Sequence, residues 1–256
     1  MPWDPTQYLK FGDHRLLPAL DLLARIDAEQ PASVYDLGCG TGNVTRLIAQ
    51  RWPDSRTSGI DSSEEMLARA RTESPQLAWE RGDLDSWAPA DPADVIYSNA
   101  ALHWIDGHAR VFPALMRGLK PGGTLAVQMP RNFSAPSHTS ISKAALDGPW
   151  RATLEPLLRP TPTAEPAFYY DILAPLTGTL DIWETEYLQV LDGPDPVKEW
   201  TKGTWLRPLL DALAEPDRTA FEAAYARLVA EAYPQRSDGR TLFPFRRLFI
   251  IAKARG

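Results

Sequence analysis

Cysteine and histidine are scarce in this sequence, which has one cysteine, Cys39, and four histidines among 256 residues. A single cysteine excludes an internal disulfide, so nothing in the chain requires an oxidising compartment, and we expect a cytoplasmic protein. The four histidines are not spaced as a set of metal ligands. We therefore predict no metal site and no divalent-metal chemistry.

Long apolar runs and basic tracts are also lacking. No stretch approaches the roughly 18 apolar residues of a membrane span, and residues 1–4 lack the basic and apolar regions of a signal peptide. The formal net charge is −6, whereas binding to nucleic-acid phosphates favours a basic face. We therefore expect a small-molecule substrate, with no nucleic-acid or membrane partner. The sequence leaves the oligomeric state open.

The most informative feature that is present is a glycine-rich turn within residues 34–43, VYDLGCGTGN. An apolar strand, a tight turn and a helix start form a nucleotide-type pocket, and glycine lets the backbone approach a ligand closely. The spacing of Gly38, Gly40 and Gly42 differs from the G-x-G-x-x-G pattern of dinucleotide sites. Asp36, just before the turn, would repel a pyrophosphate but suits an ammonium or sulfonium. The pattern favours S-adenosylmethionine over NAD.

A second acid, Asp61, ends the next predicted strand in the motif Gly59-Ile60-Asp61. Its carboxylate can accept hydrogen bonds from both hydroxyls of a ribose. Ser62-x-x-Glu65 has the pattern of a capping box and predicts a helix that begins just after Asp61. We include Ser62 and Met66 among the cofactor-site candidates. Met66 is interpreted equally well as a plain core residue.

These motifs resemble those of class I S-adenosylmethionine-dependent methyltransferases. Gly82-Asp83-Leu84 is similar to the adenine-reading acid of that family and its neighbour, and residues 119–123 are similar to the turn before its fifth strand. The resemblance implies S-adenosylmethionine as cofactor and S-adenosylhomocysteine as product. It also implies that Asp83 reads the adenine amino group and the Leu84 backbone N–H a ring nitrogen. Asn99, at the end of the fourth strand, would contact the methionine end.

Alternating strand and helix patterns predict an α/β fold, with a doubly wound, Rossmann-like, mostly parallel sheet and helical capping insertions in the C-terminal half. We predict strands at 33–36, 57–60, 77–81, 93–98, 124–128, 180–190 and 245–254, and helices at 14–26, 43–51, 62–72, 107–119, 194–200, 205–214 and 217–233. Within one domain, residues 1–129 would form an N-terminal lid plus the cofactor core, with Tyr8 folding over the cofactor. Residues 130–256 would supply the substrate-capping insertions and the closing strands of the same sheet.

The C-terminal half resembles a narrower family, the trans-aconitate 2-methyltransferases. Together with Tyr8-Leu9-Lys10-Phe11, the resemblance covers nearly the whole chain through Gln128-Met129-Pro130, Pro136-Ser137-His138, Asp181-Ile182-Trp183, Gly203-Thr204-x-Leu206-Arg207-Pro208 and Phe245-x-Arg247-Leu248-Phe249-Ile250. That family converts one carboxylate of trans-aconitate to a monomethyl ester. The resemblance implies a carboxyl O-methyltransferase that acts on a small tricarboxylate.

A carboxylate acceptor needs little help from the protein, because its reference pKa near 4 makes it a nucleophile at pH 7. We therefore predict no general base and no catalytic residue. The unreactive carboxylates need counter-charges, for which arginine forks are suited. Arg207 and Arg247 are favoured because they lie in the family-like segments, and Arg131, Arg246 and His138 are lesser candidates. His103 is interpreted either as a substrate ligand or as a cap of the following helix.

Two other functions stay open at the level of sequence. The cofactor could serve another acceptor, such as the carboxylate of a malonyl thioester or a quinone-type carbon. The chain could also be a cofactor-binding regulator without catalysis, although its intact set of acids and glycines gives no sign of decay.

Overall fold

The central element is a seven-stranded sheet in a computed structural model that describes residues 12–256. Tyr8 and the lid assigned to it lie outside the described residues. The strands are β1 (Ser33–Leu37), β2 (Arg56–Asp61), β3 (Ala78–Arg81), β4 (Ala93–Asn99), β5 (Leu119–Pro130), β6 (Thr177–Leu191) and β7 (Thr241–Ala254).

Helices precede β1 and connect β1 to β2, β2 to β3 and β4 to β5, whereas a loop connects β3 to β4; after β5, helices dominate the chain. They are α1 (Gly12–Ala24), α2 (Asn43–Arg51), α3 (Glu64–Glu73), α4 (His108–Arg117), α5 (Pro136–Asp147), α6 (Arg151–Leu154), α7 (Pro166–Leu173), α8 (Pro196–Lys202), α9 (Arg207–Asp211) and α10 (Asp217–Ala232). Single 3-10 turns lie at Leu102–Trp104, Glu155–Leu157 and Ala174–Leu176.

The strand order is β3-β2-β1-β4-β5-β7-β6, and β1 to β5 pair in parallel while β7 runs antiparallel to β5. This arrangement confirms the predicted doubly wound, mostly parallel α/β fold. The chain direction across the sheet reverses between β1 and β4. In open sheets of this type, ligands bind beside the carboxyl ends of the strands at that reversal. Asp36 and Asn99 lie at those two strand ends.

The fifth strand is longer than predicted, because residues 119–123 belong to it rather than to a turn before it. Ala93 is paired with Leu119, but Val95 is already paired with Thr124, so the register shifts between these two pairs. Gly122 has a φ of 74°, within this extra length of chain. A bulge of this kind bends the strand without ending it.

The cap of α3 lies one residue later than predicted. Ser63, not Ser62, is the N-cap, and its hydroxyl accepts a hydrogen bond from the Met66 amide. The predicted capping box beginning at Ser62 is therefore wrong. Because Asp61 holds the Ser63 amide at 2.8 Å, the chain turns once more before the helix begins.

The chain divides into two compact units, which we describe separately. The sheet unit includes residues 16–130, 162–185 and 247–256, and the helical unit includes residues 131–161 and 186–246. The core of the sheet unit packs Leu37, Ile96 and Leu125 with Phe112 of α4. The core of the helical unit is built from large side chains, with Trp150, Trp200, Phe221, Tyr225 and Phe243 among its buried residues.

Candidate cofactor and substrate site

The glycine turn after β1 has left-handed backbone at each of its three glycines, with φ of 73° at Gly38, 56° at Gly40 and 80° at Gly42. A Cβ on Gly38 would lie 2.1 Å from Ala101 Cβ, and one on Gly42 would lie 2.3 Å from the Trp79 ring. Within residues 12–256, a Cβ on Gly40 would meet nothing within 4 Å. Packing thus accounts for two of the glycines, whereas Gly40 faces open space where a ligand could approach the backbone.

Asp61, the last residue of β2, is held in place by the neighbouring backbone. Its Oδ2 accepts a 2.8 Å hydrogen bond from the Gly40 amide, and its Oδ1 accepts one of 2.8 Å from the Ser63 amide. Each carboxylate oxygen can accept a further hydrogen bond. The structure therefore brings Asp61 and the glycine turn together, while Ser62 is exposed beside them.

Asp36 is a buried acid, with only 2% of its surface exposed. Its Oδ2 accepts a 2.6 Å hydrogen bond from the hydroxyl of Thr45 on α2. Burial raises the pKa of Asp36 from 3.8 to about 7, and the charge of Asp61 adds to the rise while the Thr45 hydrogen bond opposes it. A cation placed beside Asp36 would favour its ionised form and return its pKa towards the usual range.

The residues predicted to meet the adenine follow β3. Asp83 is exposed, and its Oδ1 accepts a 3.0 Å hydrogen bond from the Asp85 amide. The Leu84 side chain lies beside the glycine turn: its Cδ1 would be 3.5 Å from a Cβ placed on Gly38. Met66, on α3, is buried. Roles for Asp83, Leu84 and Met66 in adenosine binding stay predictions.

Asn99 ends β4 beside Gln128 of β5. Its Oδ1 is buried and has no hydrogen-bond partner among residues 12–256. Gln128 is fully buried, and its Oε1 accepts a 3.4 Å hydrogen bond from Nη1 of Arg247, which is 4% exposed. The structure therefore brings the predicted substrate residue Arg247 into a buried polar row with the predicted cofactor residue Asn99.

His103 is the middle residue of the 3-10 turn Leu102–Trp104 and is buried, with its ring centroid 4.7 Å from that of Trp104. The N-cap of the following helix is Gly107. The interpretation of His103 as that cap is therefore wrong. A role in binding substrate stays a prediction.

Arg207, Arg131, Arg246 and His138 lie in the helical unit, each in its own surroundings. Arg207 begins α9 and is half-buried, with its Nε 3.5 Å from Asp211 Oδ2 one turn later. Arg246 is exposed, and its carbonyl accepts a hydrogen bond from the Arg131 amide. Desolvation lowers the pKa of His138 to about 4. His138 is thus neutral at pH 7 and supplies no positive charge.

Cys39 has the setting of a packing residue. It is buried, and burial together with the charges of Asp36 and Asp61 raises the pKa of its thiol. The reactive thiolate is therefore disfavoured.

Across residues 12–256, no group of three or more His, Cys, Asp or Glu side chains is arranged to hold a metal ion. In the same part of the chain, every helix is too short or too polar to cross a bilayer.

Thr45 and Gln128 are site residues to which the sequence assigned no role. Thr45 follows Asp36 by nine positions, and a hydroxyl in the first turn of the helix after the glycine turn is the signal that could have identified it. Gln128 lies in the motif Gln128-Met129-Pro130, where one amide interrupts a strand of apolar residues. Its partner Arg247 is 119 residues away along the chain, so no local pattern joins the two.

Comparison with known proteins agrees with this geometry. A family model described as a methyltransferase domain matches residues 34–123. Trans-aconitate 2-methyltransferase of Azoarcus sp. strain BH72 is 50% identical over 98% of this chain and 98% of its own. The Streptomyces avermitilis protein of the same name is 47% identical over 98% of this chain and 96% of its own.

Solved structures support the fold. The YcgJ protein of Bacillus subtilis superposes with a TM-score of 0.61 at 15% identity, over 95% of this chain and 99% of its own. Haemonchus contortus phosphoethanolamine N-methyltransferase 2, in complex with S-adenosyl-L-methionine, gives a TM-score of 0.54 at 17% identity, over 93% of this chain and 53% of its own.

The fold, the glycine turn and these relatives define a class I S-adenosylmethionine-dependent methyltransferase. Within that class, the chain belongs to the trans-aconitate 2-methyltransferase family. Both resemblances found in the sequence are thereby confirmed.

Proposed function

We propose that this protein transfers the methyl group of S-adenosylmethionine to one carboxylate of trans-aconitate, forming a monomethyl ester and S-adenosylhomocysteine. The observation that carries the proposal is the 50% identity to a trans-aconitate 2-methyltransferase over 98% of both chains. Such near-complete coverage includes both units, not only the cofactor-binding segment that many methyltransferases share.

The residues at the carboxyl edge of the sheet fit the cofactor. Asp36 lies where a negative charge would favour the cationic methionine end, and Asp61 keeps free acceptor capacity for the two ribose hydroxyls. Gly40 leaves room for a ligand beside the backbone. We assign Asp83 and the Leu84 backbone to the adenine, Asn99 to the methionine end, Ser62 and Met66 to the ribose side and Tyr8 to a lid.

The reaction needs no proton transfer. A carboxylate oxygen of the substrate attacks the methyl carbon in line with the sulfonium, the carbon–sulfur bond breaks, and its electron pair stays on sulfur. An anion and a cation neutralise each other as this happens, so water stabilises the reactants more than the transition state. Alignment of the two reactants supplies about 7–11 kcal/mol at best, and the protein's part is to orient them and exclude water.

The acceptor is a free tricarboxylate in this proposal. With a net charge of −6 and no basic tract, we expect neither a nucleic-acid nor a membrane partner, and we expect the reaction to take place in the cytoplasm. Arg247 and Arg207 are the proposed counter-charges for unreactive carboxylates, with His103 as a further ligand.

Methyl transfer from labelled S-adenosylmethionine to trans-aconitate tests the proposal. Label that appears on trans-aconitate and is released by mild base identifies a carboxyl ester. Label on a malonyl thioester or on a quinone-type carbon would show that the acceptor is not trans-aconitate, while the protein would still be an S-adenosylmethionine-dependent methyltransferase. Tight cofactor binding without transfer to any acid in a panel would instead support a non-catalytic regulator.

A further inference from the structure

A row of three polar side chains, Asn99, Gln128 and Arg247, crosses three neighbouring strands of the sheet unit. Asn99 of β4 and Gln128 of β5 are direct register partners. On the other side, Gln128 is opposite Phe249 and Pro130 is opposite Arg247. Side chains on one face of a sheet meet their direct and diagonal neighbours. Asn99, Gln128 and Arg247 therefore share one face.

Gln128 is buried, and its amide nitrogen makes no hydrogen bond within the part of the chain that the structure describes. Its Oε1 accepts from Arg247 Nη1 at 3.4 Å, while its Nε2 has no hydrogen-bond partner among residues 12–256. Asn99 Oδ1, one strand away, is likewise buried without a partner in that part of the chain. Each such group costs about 1–3 kcal/mol of folding stability. A strand that otherwise reads Leu125-Ala126-Val127 and Met129 keeps this amide in spite of that cost.

Arg247 gives the row its charge. Only 4% of its surface is exposed, and its guanidinium carries a permanent positive charge and N–H donors whose geometry suits a carboxylate. The hydrogen bond from Arg247 Nη1 to Gln128 Oε1 holds the two side chains together. The amide N–H groups of Gln128 and the guanidinium N–H groups of Arg247 are therefore neighbouring donors. Adjacent donors of this kind match the two oxygens of a carboxylate.

We propose that Gln128 and Arg247 form the subsite for one unreactive carboxylate of the tricarboxylate substrate. Gln128 has two tasks there: its Oε1 positions the Arg247 guanidinium, and its Nε2 donates to the bound carboxylate. Asn99 lies between this subsite and the reversal of strand order at β1, on the side of the cofactor. The inference rests on the proposed function, because it names the group by which that substrate is held.

Two substitutions separate positioning from a structural role. Gln128→Glu keeps the length of the side chain and an acceptor for Arg247, but places a negative charge where the substrate carboxylate would bind. Gln128→Met keeps the volume but removes both the Nε2 donor and the acceptor of Arg247 Nη1, so it should also lower stability, because one partner of a buried hydrogen bond is lost. Thr57→Val is the matched control, since Thr57 is buried on β2 with a hydroxyl that has no partner among residues 12–256.

Equilibrium binding of trans-aconitate to the full-length protein loaded with S-adenosylhomocysteine is the measurement, made by titration calorimetry. We expect Gln128→Glu to raise the Kd for trans-aconitate by at least about tenfold and Gln128→Met by about tenfold to a hundredfold, the range of a hydrogen bond to a charged group. The Kd for S-adenosylmethionine should change by less than about twofold in both, as should every Kd in Thr57→Val.

Three dicarboxylates locate the effect: mesaconate, itaconate and glutaconate each lack a different carboxylate of trans-aconitate. For the diacid that lacks the carboxylate held by Gln128 and Arg247, Gln128→Glu should leave the Kd unchanged. The inference is overturned if Gln128→Glu binds trans-aconitate with a Kd within about twofold of the wild-type value. This holds even if the variant is less stable than wild type.

The proposed function fails separately from this inference. Wild-type methylation of trans-aconitate with no effect of Gln128→Glu on binding removes the subsite and leaves the function standing. Binding of trans-aconitate that Gln128→Glu weakens, without methyl transfer by wild type, removes the function and leaves the subsite standing. A wild-type protein that binds no tricarboxylate contradicts both.

Discussion

The carboxyl group of Asp36 accepts a 2.6 Å hydrogen bond from the hydroxyl of Thr45, which joins the end of β1 to the first turn of α2. With its pKa raised to about 7, Asp36 is divided between its protonated and ionised forms at neutral pH. The unliganded protein therefore holds an acid whose charge is fully favourable only when a cation lies beside it. Two consequences can be measured on one variant, Asp36→Asn.

Asp36→Asn should stabilise the unliganded protein above neutral pH. The folded-state pKa of about 7 exceeds the ordinary value of 3.8, so between about pH 4 and pH 7 the folded state keeps a proton that the unfolded state releases. Wild-type stability should therefore fall as pH rises through this window, by about 4 kcal/mol at most. Asparagine does not titrate but still accepts from Thr45. Urea unfolding at pH 5 and pH 8 checks this, and a variant less stable than wild type at pH 8 would contradict it.

The same substitution, Asp36→Asn, should weaken the binding of S-adenosylmethionine. Wild-type affinity for S-adenosylmethionine should increase from pH 5.5 to pH 7.5 as Asp36 ionises, since its charge is then available to the cationic methionine end. Asp36→Asn should raise the Kd at pH 7.5 by about tenfold or more and flatten this pH dependence. Calorimetric titration at several pH values is the measurement. An unchanged pH profile in the variant would remove Asp36 from the cofactor site.

Thr45→Val should shift the pH profile of cofactor binding rather than abolish it. The Thr45 hydroxyl favours the ionised form of Asp36, so its removal should raise the pKa of Asp36 above its present value of about 7. The midpoint of the rise in S-adenosylmethionine affinity should then move to higher pH. Thr72→Val is the control, because Thr72 is exposed on α3 and its hydroxyl donates to the Ala68 carbonyl. A profile identical to that of wild type would show that the hydrogen bond does not tune Asp36.

Alanine at two glycines of the same turn should separate ligand approach from packing. The Cβ of Gly40→Ala meets no neighbour within 4 Å in the described part of the chain, so we expect only the strain of its φ of 56°, about 1–2 kcal/mol, together with a large loss of cofactor affinity. Gly42→Ala would press on the Trp79 ring and should cost more stability. Urea unfolding and cofactor titration of both variants provide the test. A Gly40→Ala protein that binds S-adenosylmethionine like wild type would show that no ligand approaches there.

Arg207→Ala should raise the KM for trans-aconitate by about tenfold while leaving the KM for S-adenosylmethionine unchanged, if its fork holds a substrate carboxylate. Arg218→Ala is a close control, since both arginines lie near the same carboxylate: Arg218 Nη2 is 3.9 Å from Asp211 Oδ1, and Arg207 Nε is 3.5 Å from Asp211 Oδ2. Steady-state kinetics with each substrate varied in turn distinguish the two variants. Equal KM values for Arg207→Ala and Arg218→Ala would remove Arg207 from the substrate site.

The amino-acid sequence was sufficient to predict the helices and strands that short local patterns define. The helix at 43–51 has the predicted bounds, because it follows directly from a glycine turn and ends at Arg51, with Trp52 as its C-cap just before Pro53. The five parallel strands were also predicted from runs between turn signals, although β5 extends further than expected. Asp36, Gly40 and Asp61 were placed together from their motifs; the Gly40 amide donates to Asp61, and the charge of Asp61 contributes to the raised pKa of Asp36.

The remaining features depend on contacts between distant segments. The bulge within β5 arises from its pairing with β4, and the segment 162–185 belongs to the sheet unit although it lies far along the chain. The bond between Gln128 and Arg247 spans 119 positions. The protonation of Asp36 and His138 is likewise set by burial, which no local pattern of residues encodes.

A competition among acids tests the central claim most directly. The protein, loaded with labelled S-adenosylmethionine, is mixed with equal amounts of trans-aconitate, cis-aconitate, isocitrate and citrate, and the products are separated. The account predicts that the label is found mainly on trans-aconitate as a single, base-labile methyl ester. Label carried chiefly by another acid, or bound to trans-aconitate in a base-stable form, would contradict it.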